Sequence, residues 1–254
     1  MTFFNFSKPL RERGFFNGLI ELPKDSAHWS ITLLFILMAY LLSFWVRLEW
    51  IEFAQASYVD ETGEVQYLRP DMLRNGVALP NTHDSFYFGS ILQKGHLGMH
   101  EGNHLIPSVL EKGMITYLPY LLLKFFPSLD IEFLLLWLPV YVAGFVCIPI
   151  VLIGRLYGSS LWGLFAACLA GITHSYYNRT LAGYYDTDMF SITIPAFALY
   201  FLVSASRKNS IHYGFLAALT LFLYNFFYSS SQAVTASLAV TFIGYRILLL
   251  LFDI

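Results

Sequence analysis

Residues 178–188, which read N-R-T-L-A-G-Y-Y-D-T-D, combine two aspartates with one arginine. Asp186 and Asp188 are two positions apart, and alternate side chains of an extended backbone point to one side, so the spacing predicts that both carboxylates face one site. Carboxylates completed by water and substrate oxygens suit Mg²⁺ or Mn²⁺ rather than zinc. Arg179 would add a cation that grips a phosphate group, and Gly183 is expected to let the chain leave a helix. The alternative interpretation is a solvated acidic turn.

A third carboxylate, Asp84, lies in the segment 81–87, which reads N-T-H-D-S-F-Y. It is the best candidate to join the aspartate pair. An aspartate placed before S-F-Y-F would also serve as a helix N-cap, and the residues alone favour that role. Tyr228, in the run F-F-Y-S-S-S at 226–231, closes an apolar stretch, and a tyrosine of a membrane-interface belt explains it adequately.

Residues 100–104 read H-E-G-N-H and match the H-E-x-x-H signature of zinc proteases. That chemistry requires His100 and His104 to share one face of a stable helix. The glycine and asparagine between them disfavour a helix. We therefore interpret His96, His100 and His104 as loop residues and not as a zinc site.

Composition places the chain in a membrane. Of its 254 residues, 57% are hydrophobic and only 13% are charged, whereas soluble domains carry about 25% charged residues. Residues 133–254 hold eight charged side chains, too few for a water-soluble domain of that length. A net charge of −2 without a basic tract excludes nucleic acid as a partner. The predicted fold class is an all-α polytopic membrane protein.

Long apolar runs predict six membrane spans with both termini in the cytoplasm. The spans are residues 30–46, 133–154, 160–177, 189–205, 211–228 and 232–252. Residues 1–29 are expected to form a cytoplasmic N-terminus, and residues 48–132 one long external loop. The short apolar segment 114–126 contains a proline and a lysine, and it is predicted to lie at the outer interface as an amphipathic helix.

The positive-inside rule decides this topology. If 114–126 does not cross, Arg155, Arg207, Lys208 and Arg246 all fall on the cytoplasmic side, and if it crosses they all move outside. Residues 133–254 then form a five-span bundle whose loop 178–188 is external. The aspartate pair and the long loop that carries the third aspartate therefore share one face of the membrane.

The residues around the aspartate pair resemble those of a known family. The runs S-Y-Y-N-R-T at 175–180 and G-Y-Y-D-T-D-M at 183–189 look very like the second acidic motif of bacterial single-subunit oligosaccharyltransferases of the PglB type. The order of one span, a long external loop with an aspartate, and a tight hairpin of spans leading to D-T-D is also similar. The resemblance implies a GT-C-like transmembrane bundle in a bacterial inner membrane, with its active face external or periplasmic.

Enzymes of that family transfer an oligosaccharide from a lipid diphosphate to the side-chain amide of asparagine. The resemblance implies that Asp84, Asp186 and Asp188 bind Mg²⁺ or Mn²⁺, and that Asp84, Arg179 and Asp188 are catalytic. It places Arg179 and Tyr228 near the donor pyrophosphate, although the family pattern W-W-Y-P reads F-F-Y-S at 226–229. The implied partners are the lipid-diphosphate-linked oligosaccharide, an acceptor protein asparagine, and membrane lipid around the polyprenyl tail.

Two family features have no match in the sequence: a W-W-D motif that reads the acceptor, and a further catalytic carboxylate on a later loop. We therefore expect an incomplete N-terminal half, a truncated or split product that is inactive alone and needs the missing C-terminal half on another chain. Two alternatives stay open. One is a GT-C-type glycosyltransferase that takes a lipid-phosphate sugar, and the other is a non-enzymatic transporter or assembly subunit whose acids line an ion path.

Overall fold

The computed structural model describes residues 25, 27–99 and 102–251. Helices dominate these residues, so the prediction of an all-α membrane bundle is confirmed. In chain order the helices are α1 (Trp29–Val46), α2 (Glu49–Ala54), α3 (His83–Leu97), α4 (Met114–Phe125), α5 (Ile131–Gly144), α6 (Cys147–Leu156), α7 (Ser160–Ile172), α8 (His174–Tyr177), α9 (Asp188–Ser191), α10 (Thr193–Lys208), α11 (Ile211–Phe227) and α12 (Ser231–Leu251).

Among the described residues, four helical segments are long and apolar enough to cross a membrane. They are Trp29–Ala54, Ile131–Leu156, Asp188–Lys208 and Ser231–Leu249. Helices α7 and α11 are also apolar but have only 13 and 17 residues, against the roughly 20 that a bilayer needs. The chain is a multi-pass membrane protein, whereas the six crossings and their orientation stay predictions.

Several of the expected spans contain breaks. The segment 133–154 is divided between α5 and α6, and 189–205 is divided between α9 and α10. In 160–177 the helix ends at Ile172, because Thr173 adopts an extended ψ of 119° before the one-turn α8 begins. Apolar periodicity cannot register such breaks, since the residues on both sides of each break remain apolar.

Small residues allow the central helices to pack closely. Helices α6 and α7 form the most extensive pair, α1 lies across both, and α10 packs on α6 and α11. A Cβ added to Gly154 would come within 2.4 Å of the Gly163 Cα, so the two backbones meet at a distance that only glycine permits. Helix α12 is attached more loosely, because none of its most apolar window is buried.

The predicted external loop 48–132 is largely structured. It contains α2, α3 and α4 and two short antiparallel hairpins. The strands are β1 (Ser57–Val59) with β2 (Val65–Tyr67), and β3 (Leu73–Arg74) with β4 (Val77–Ala78). A 3-10 turn at Pro70–Met72 connects the hairpins. The predicted amphipathic segment 114–126 is present as α4, and its buried residues face the protein.

One hydrophobic core joins this external layer to the aspartate pair. Residues of α3, α4 and the start of α5 pack with the chain around 185–190. The buried members include Phe88, Ile91, Leu92, Ile115, Leu135, Tyr185, Met189 and Phe190. The external layer is therefore the support against which the aspartate loop is held, although nearly 100 residues separate the two in the sequence.

Candidate active site

The aspartate loop runs between α8 and α9, and Gly183 occupies its tightest point. Its φ is +79°, and a Cβ there would lie 3.2 Å from the Pro80 Cα and 3.3 Å from the Trp50 Cδ1. Both the conformation and the space require glycine. Gly183 does not end a helix as expected, because the preceding helix α8 already ends at Tyr177. It instead allows a close contact with the segment that leads to Asp84.

Asn81 and Ser85 attach that segment to the aspartate loop. The Asn81 N–H donates to the Gly183 carbonyl at 3.1 Å. The buried Ser85 hydroxyl donates to the same carbonyl at 2.8 Å and accepts from the Tyr185 N–H at 2.8 Å. The Asn81 backbone N–H and the Ser85 side chain thus satisfy polar groups of the loop backbone. They hold Asp84, which lies between them in the sequence, next to the aspartate loop.

Asp84 does not cap a helix. The N-cap of α3 is Thr82, whose hydroxyl accepts from the Ser85 N–H, and Asp84 lies in the first turn with its side chain exposed. The cap interpretation favoured by the local residues is therefore wrong, because α3 begins two residues earlier than that interpretation requires. A carboxylate in the first turn is favoured by the helix dipole and remains available for binding.

The backbone between Asp186 and Asp188 is helical, not extended. Thr187 has φ −60° and ψ −16°, and Asp188 begins α9. The prediction that an extended strand aligns the two carboxylates is wrong at this point. An Asp186 carboxylate oxygen accepts from the N–H and the hydroxyl of Thr187, so the side chain turns back onto the helix start.

The carboxylates nevertheless form one electrostatic group. Burial raises the pKa of Asp186, and the negative charges of Asp188 and Asp84 raise it further. Tyr184 lies in the same field: burial raises its pKa, Arg179 opposes the rise, and the three carboxylates add to it. The structure thus places the segment that carries Asp84 against the loop that carries Asp186 and Asp188.

Arg179 pairs with one member of this group. Its Nη1 donates to the Asp188 Oδ2 at 2.9 Å, with the Arg179 side chain 62% exposed and the Asp188 side chain 13% exposed. The bond and charge of Asp188 raise the pKa of Arg179. The pair neutralises one carboxylate and leaves Asp84 and Asp186 as excess negative charge.

Tyr228 reaches the group through two intermediate residues. Its ring stacks on Tyr224, with centroids 5.7 Å apart and planes inclined by 12°. The Tyr224 hydroxyl donates to the Ser191 carbonyl at 3.0 Å, and the Ser191 hydroxyl donates to the Asp188 carbonyl at 2.7 Å. The end of α11 is therefore linked to the start of α9, although Tyr228 itself touches neither Arg179 nor a carboxylate in the contacts described.

The three carboxylates have the donor chemistry of a divalent-cation site, with hard oxygens and uncompensated charge. Across residues 27–99 and 102–251, no three His, Cys, Asp or Glu side chains are already arranged to hold a metal ion. The Arg179 guanidinium also occupies the Oδ2 atom of Asp188, an oxygen that a metal ion bound to this residue could use.

The zinc-protease pattern is only partly within the described residues, because His100 and Glu101 lie outside them. Helix α3 ends at Leu97 with Gly98 at φ +67°, and Gly102 has φ +82°. The described part of the pattern is not helical, as expected. His96, interpreted as a loop residue, instead lies in the last turn of α3.

Sequence reasoning missed the residues that hold the site together. Asn81 and Ser85 flank Asp84 in the run N-T-H-D-S, and their contacts become visible only in three dimensions. Arg47 directly follows the first predicted span, 30–46, and it is fully buried against the aspartate loop. A cation at the predicted external end of a span departs from the positive-inside rule, and that departure was the available signal.

Comparisons with known proteins show which sequences this chain is similar to. The sequence model described as "Oligosaccharyl transferase STT3, N-terminal" matches residues 112–253. The chain is 31% identical over 215 residues to the undecaprenyl-diphosphooligosaccharide–protein glycotransferase of Campylobacter jejuni, which covers 84% of this chain. It is 35% identical over 101 residues to the dolichyl-phosphooligosaccharide-protein glycotransferase of Methanococcus voltae, which covers 37% of this chain and 11% of that protein.

The fold and these matches together define a membrane protein of the oligosaccharyl transferase class. The chain belongs to the STT3 oligosaccharyl transferase family, and the resemblance drawn from the aspartate motif is confirmed. The chain spans 28% of the length of the Campylobacter jejuni relative. The expected need for a C-terminal half stays a prediction.

Proposed function

We propose that this chain carries the donor-binding and metal-binding face of an oligosaccharyltransferase. The reaction would transfer a polyprenyl-diphosphate-linked oligosaccharide to the side-chain amide of an acceptor-protein asparagine. The observation that supports it best is that hydrogen bonds from Asn81 and Ser85 hold the segment of Asp84 against the loop that carries Asp186 and Asp188, next to the Arg179–Asp188 ion pair. The proposed location is a bacterial inner membrane, with this face external or periplasmic.

Charge gives the residues distinct roles in that reaction. The bond between the sugar and the diphosphate breaks with its electron pair, so negative charge develops on the leaving diphosphate. Arg179 is exposed and positively charged, and it can stabilise that charge while Tyr228 lies along the donor. A Mg²⁺ or Mn²⁺ ion held by Asp84, Asp186 and Asp188 would supply further electrostatic stabilisation of the leaving group.

The nucleophile presents the second difficulty. An amide nitrogen is weakly nucleophilic because its lone pair is conjugated with the carbonyl. As the new carbon–nitrogen bond forms, a proton must leave that nitrogen. Carboxylates that accept hydrogen bonds from the amide would weaken the conjugation, and Asp84, exposed in the first turn of α3, is the candidate for this contact.

Asparagine substitutions test the proposal, because they keep the size of aspartate and remove its charge. Asp84→Asn and Asp186→Asn are each expected to weaken Mn²⁺ binding and to abolish transfer from a lipid-linked oligosaccharide to an acceptor peptide. Mn²⁺ binding is measured in the chain itself, and transfer is measured in the presence of the C-terminal half that the chain is expected to need. Asp71→Asn is the matched control, since Asp71 is an exposed acid on the 3-10 turn of the same external layer. Unchanged Mn²⁺ binding and unchanged transfer in both site variants would overturn the proposal.

A further inference from the structure

Arg47 is a buried cation without an acidic partner. It caps the C-terminal end of α1, and its side chain is completely shielded from solvent. Among the described residues, no Asp or Glu forms a salt bridge with it, and its Nη2 has no hydrogen-bond partner. Burying an uncompensated charge costs several kcal/mol in ordinary proteins, so an apolar side chain would stabilise the bundle at lower cost.

The hydrogen bonds of Arg47 join α1 to α7 and to the segment that carries Arg179. Within α1, Nη1 donates to the Ser43 carbonyl at 2.7 Å and to the Ser43 hydroxyl at 2.6 Å. Nε donates to the Thr180 hydroxyl at 2.9 Å, and Nη1 donates to the Gly171 carbonyl at 2.9 Å. The Arg47 carbonyl accepts from the Ala182 N–H at 2.9 Å. Arg47 thus holds the chain at two places: at Gly171, near the end of α7, and at Thr180 and Ala182, which follow Arg179 in the aspartate loop.

A second connection leads from Arg47 to the other member of the ion pair. The guanidinium lies over the Tyr176 ring, 5.2 Å from its centroid. The Tyr176 hydroxyl lies 2.7 Å from the Thr193 hydroxyl and 3.4 Å from the Met189 carbonyl. Met189 directly follows Asp188, so Arg47 supports the backbone next to each end of the Arg179–Asp188 pair.

We infer that Arg47 is a positioning residue of the site. Through its contacts with Thr180 and Tyr176, it sets the distance between Arg179 and Asp188. The inference rests on the proposed function. Arginine suits this task because two separate nitrogens reach Thr180 and Gly171 at once, whereas lysine has only one nitrogen and lacks the planar fork. Arg47 itself contacts neither carboxylate of the pair.

Arg47→Lys keeps the positive charge but cannot make the hydrogen bonds to Thr180 and Gly171 at the same time. In the full chain, kcat for oligosaccharide transfer is expected to fall about 10- to 100-fold, as small misplacements of catalytic groups do, with KM for donor and acceptor unchanged. Hydrogen–deuterium exchange is expected to rise in the amides of residues 178–190 and not in α3 or α11.

Arg155→Lys is the matched control. Arg155, on α6, also bridges to α1, because its Nη1 donates to the Thr32 hydroxyl and, at 2.9 Å, to the Ala27 carbonyl just before that helix. These contacts lie at the opposite end of α1 from Arg47, and Arg155 has Asp25 as an acidic partner at 3.7 Å. It is expected to leave kcat and the exchange of 178–190 unchanged. Equal losses of stability and kcat in both variants would show a general structural role and overturn the inference, as would wild-type kcat and exchange in Arg47→Lys.

Thr180→Val covers the case in which Arg47→Lys does not fold. It removes the acceptor of Nε together with the bond from the Thr180 hydroxyl to the Tyr176 carbonyl, and it is expected to shift kcat and local exchange in the same direction by a smaller factor. Wild-type values in Thr180→Val would then overturn the inference. Asp186→Asn separates the two proposals: transfer that survives Asp186→Asn refutes the proposed function, whereas transfer lost in Asp186→Asn but retained in Arg47→Lys refutes the positioning role alone.

Discussion

Arg179 donates a hydrogen bond of 2.9 Å to Asp188, so the cation expected at the donor phosphate and a carboxylate expected at the metal are ion-paired with each other. Binding of a phosphate by Arg179 and binding of a metal ion by Asp188 therefore each compete with the ion pair between the two residues. A metal that takes the Asp188 oxygen would release the exposed guanidinium toward a phosphate, and this competition leads directly to a measurable consequence.

Arg179→Gln is expected to raise the Mn²⁺ affinity of the protein about two- to fivefold, because it frees Asp188 from a solvent-exposed partner of modest strength. The same change is expected to slow transfer, since the leaving diphosphate loses its cation. Mn²⁺ titration followed by electron paramagnetic resonance measures the affinity. Arg74→Gln is the control, because Arg74 pairs with Glu132 away from the aspartate loop. A lowered affinity in Arg179→Gln would contradict the prediction.

Ser85→Ala is expected to reduce the free energy of unfolding by about 1–3 kcal/mol, because the buried Tyr185 N–H loses its partner and the Gly183 carbonyl keeps only the Asn81 N–H. Transfer is expected to fall as well, since the two segments that carry the aspartates are no longer joined. Unfolding in detergent measures the first effect. Ser90→Ala on the same helix is the control, since Ser90 bonds only to the Phe86 carbonyl one turn away. Equal effects in the two variants would argue against a special role for Ser85.

Gly183→Ala is expected to destabilise the aspartate loop by about 1–3 kcal/mol, because alanine at φ +79° is strained and its Cβ meets Pro80 and Trp50. The melting temperature and the transfer rate should both decrease. Gly214→Ala on α11 is the comparison, since a Cβ there meets no atom within 4 Å, and it is expected to be neutral or stabilising. A fully active, equally stable Gly183→Ala would refute the steric argument.

The stability of the first hairpin, β1 and β2, is expected to depend on pH through Asp60. Hydrogen bonds from the Thr62 hydroxyl, the Glu64 N–H and the Gln66 amide lower its pKa from 3.8 to about 2. Because the folded value is the lower one, the stabilisation is complete above the ordinary pKa and is lost as the pH falls through the interval between the two values. Amide NMR signals of residues 57–67 should report this loss. Asp60→Asn should abolish the dependence, and an unchanged profile in that variant would contradict the assignment.

The sequence predicted the helical bundle and its membrane class well. The free energy of transfer from water to membrane depends on the residues within one run, such as 30–46 or 211–228, and can therefore be judged from the sequence. The D-T-D motif and Arg179 also stood out, since ionisable residues are rare in the second half of the chain. The local geometry was predicted less well. Thr187 is helical where an extended backbone was expected, and Thr82 rather than Asp84 caps α3. Both errors concern one or two residues at a helix start, where several polar side chains compete for the same backbone groups.

By itself the sequence determined which residue types could do chemistry and that they belong to a membrane bundle. Only the tertiary structure decided that Asp84 joins Asp186 and Asp188, because Ser85 and Gly183 are 98 positions apart and their contact depends on the packing of the external layer. The support from Arg47 is of the same kind, since its bond to Thr180 spans 133 positions. Hydrophobicity and propensity act over a few turns of chain, whereas these hydrogen bonds exist only after the helices have packed.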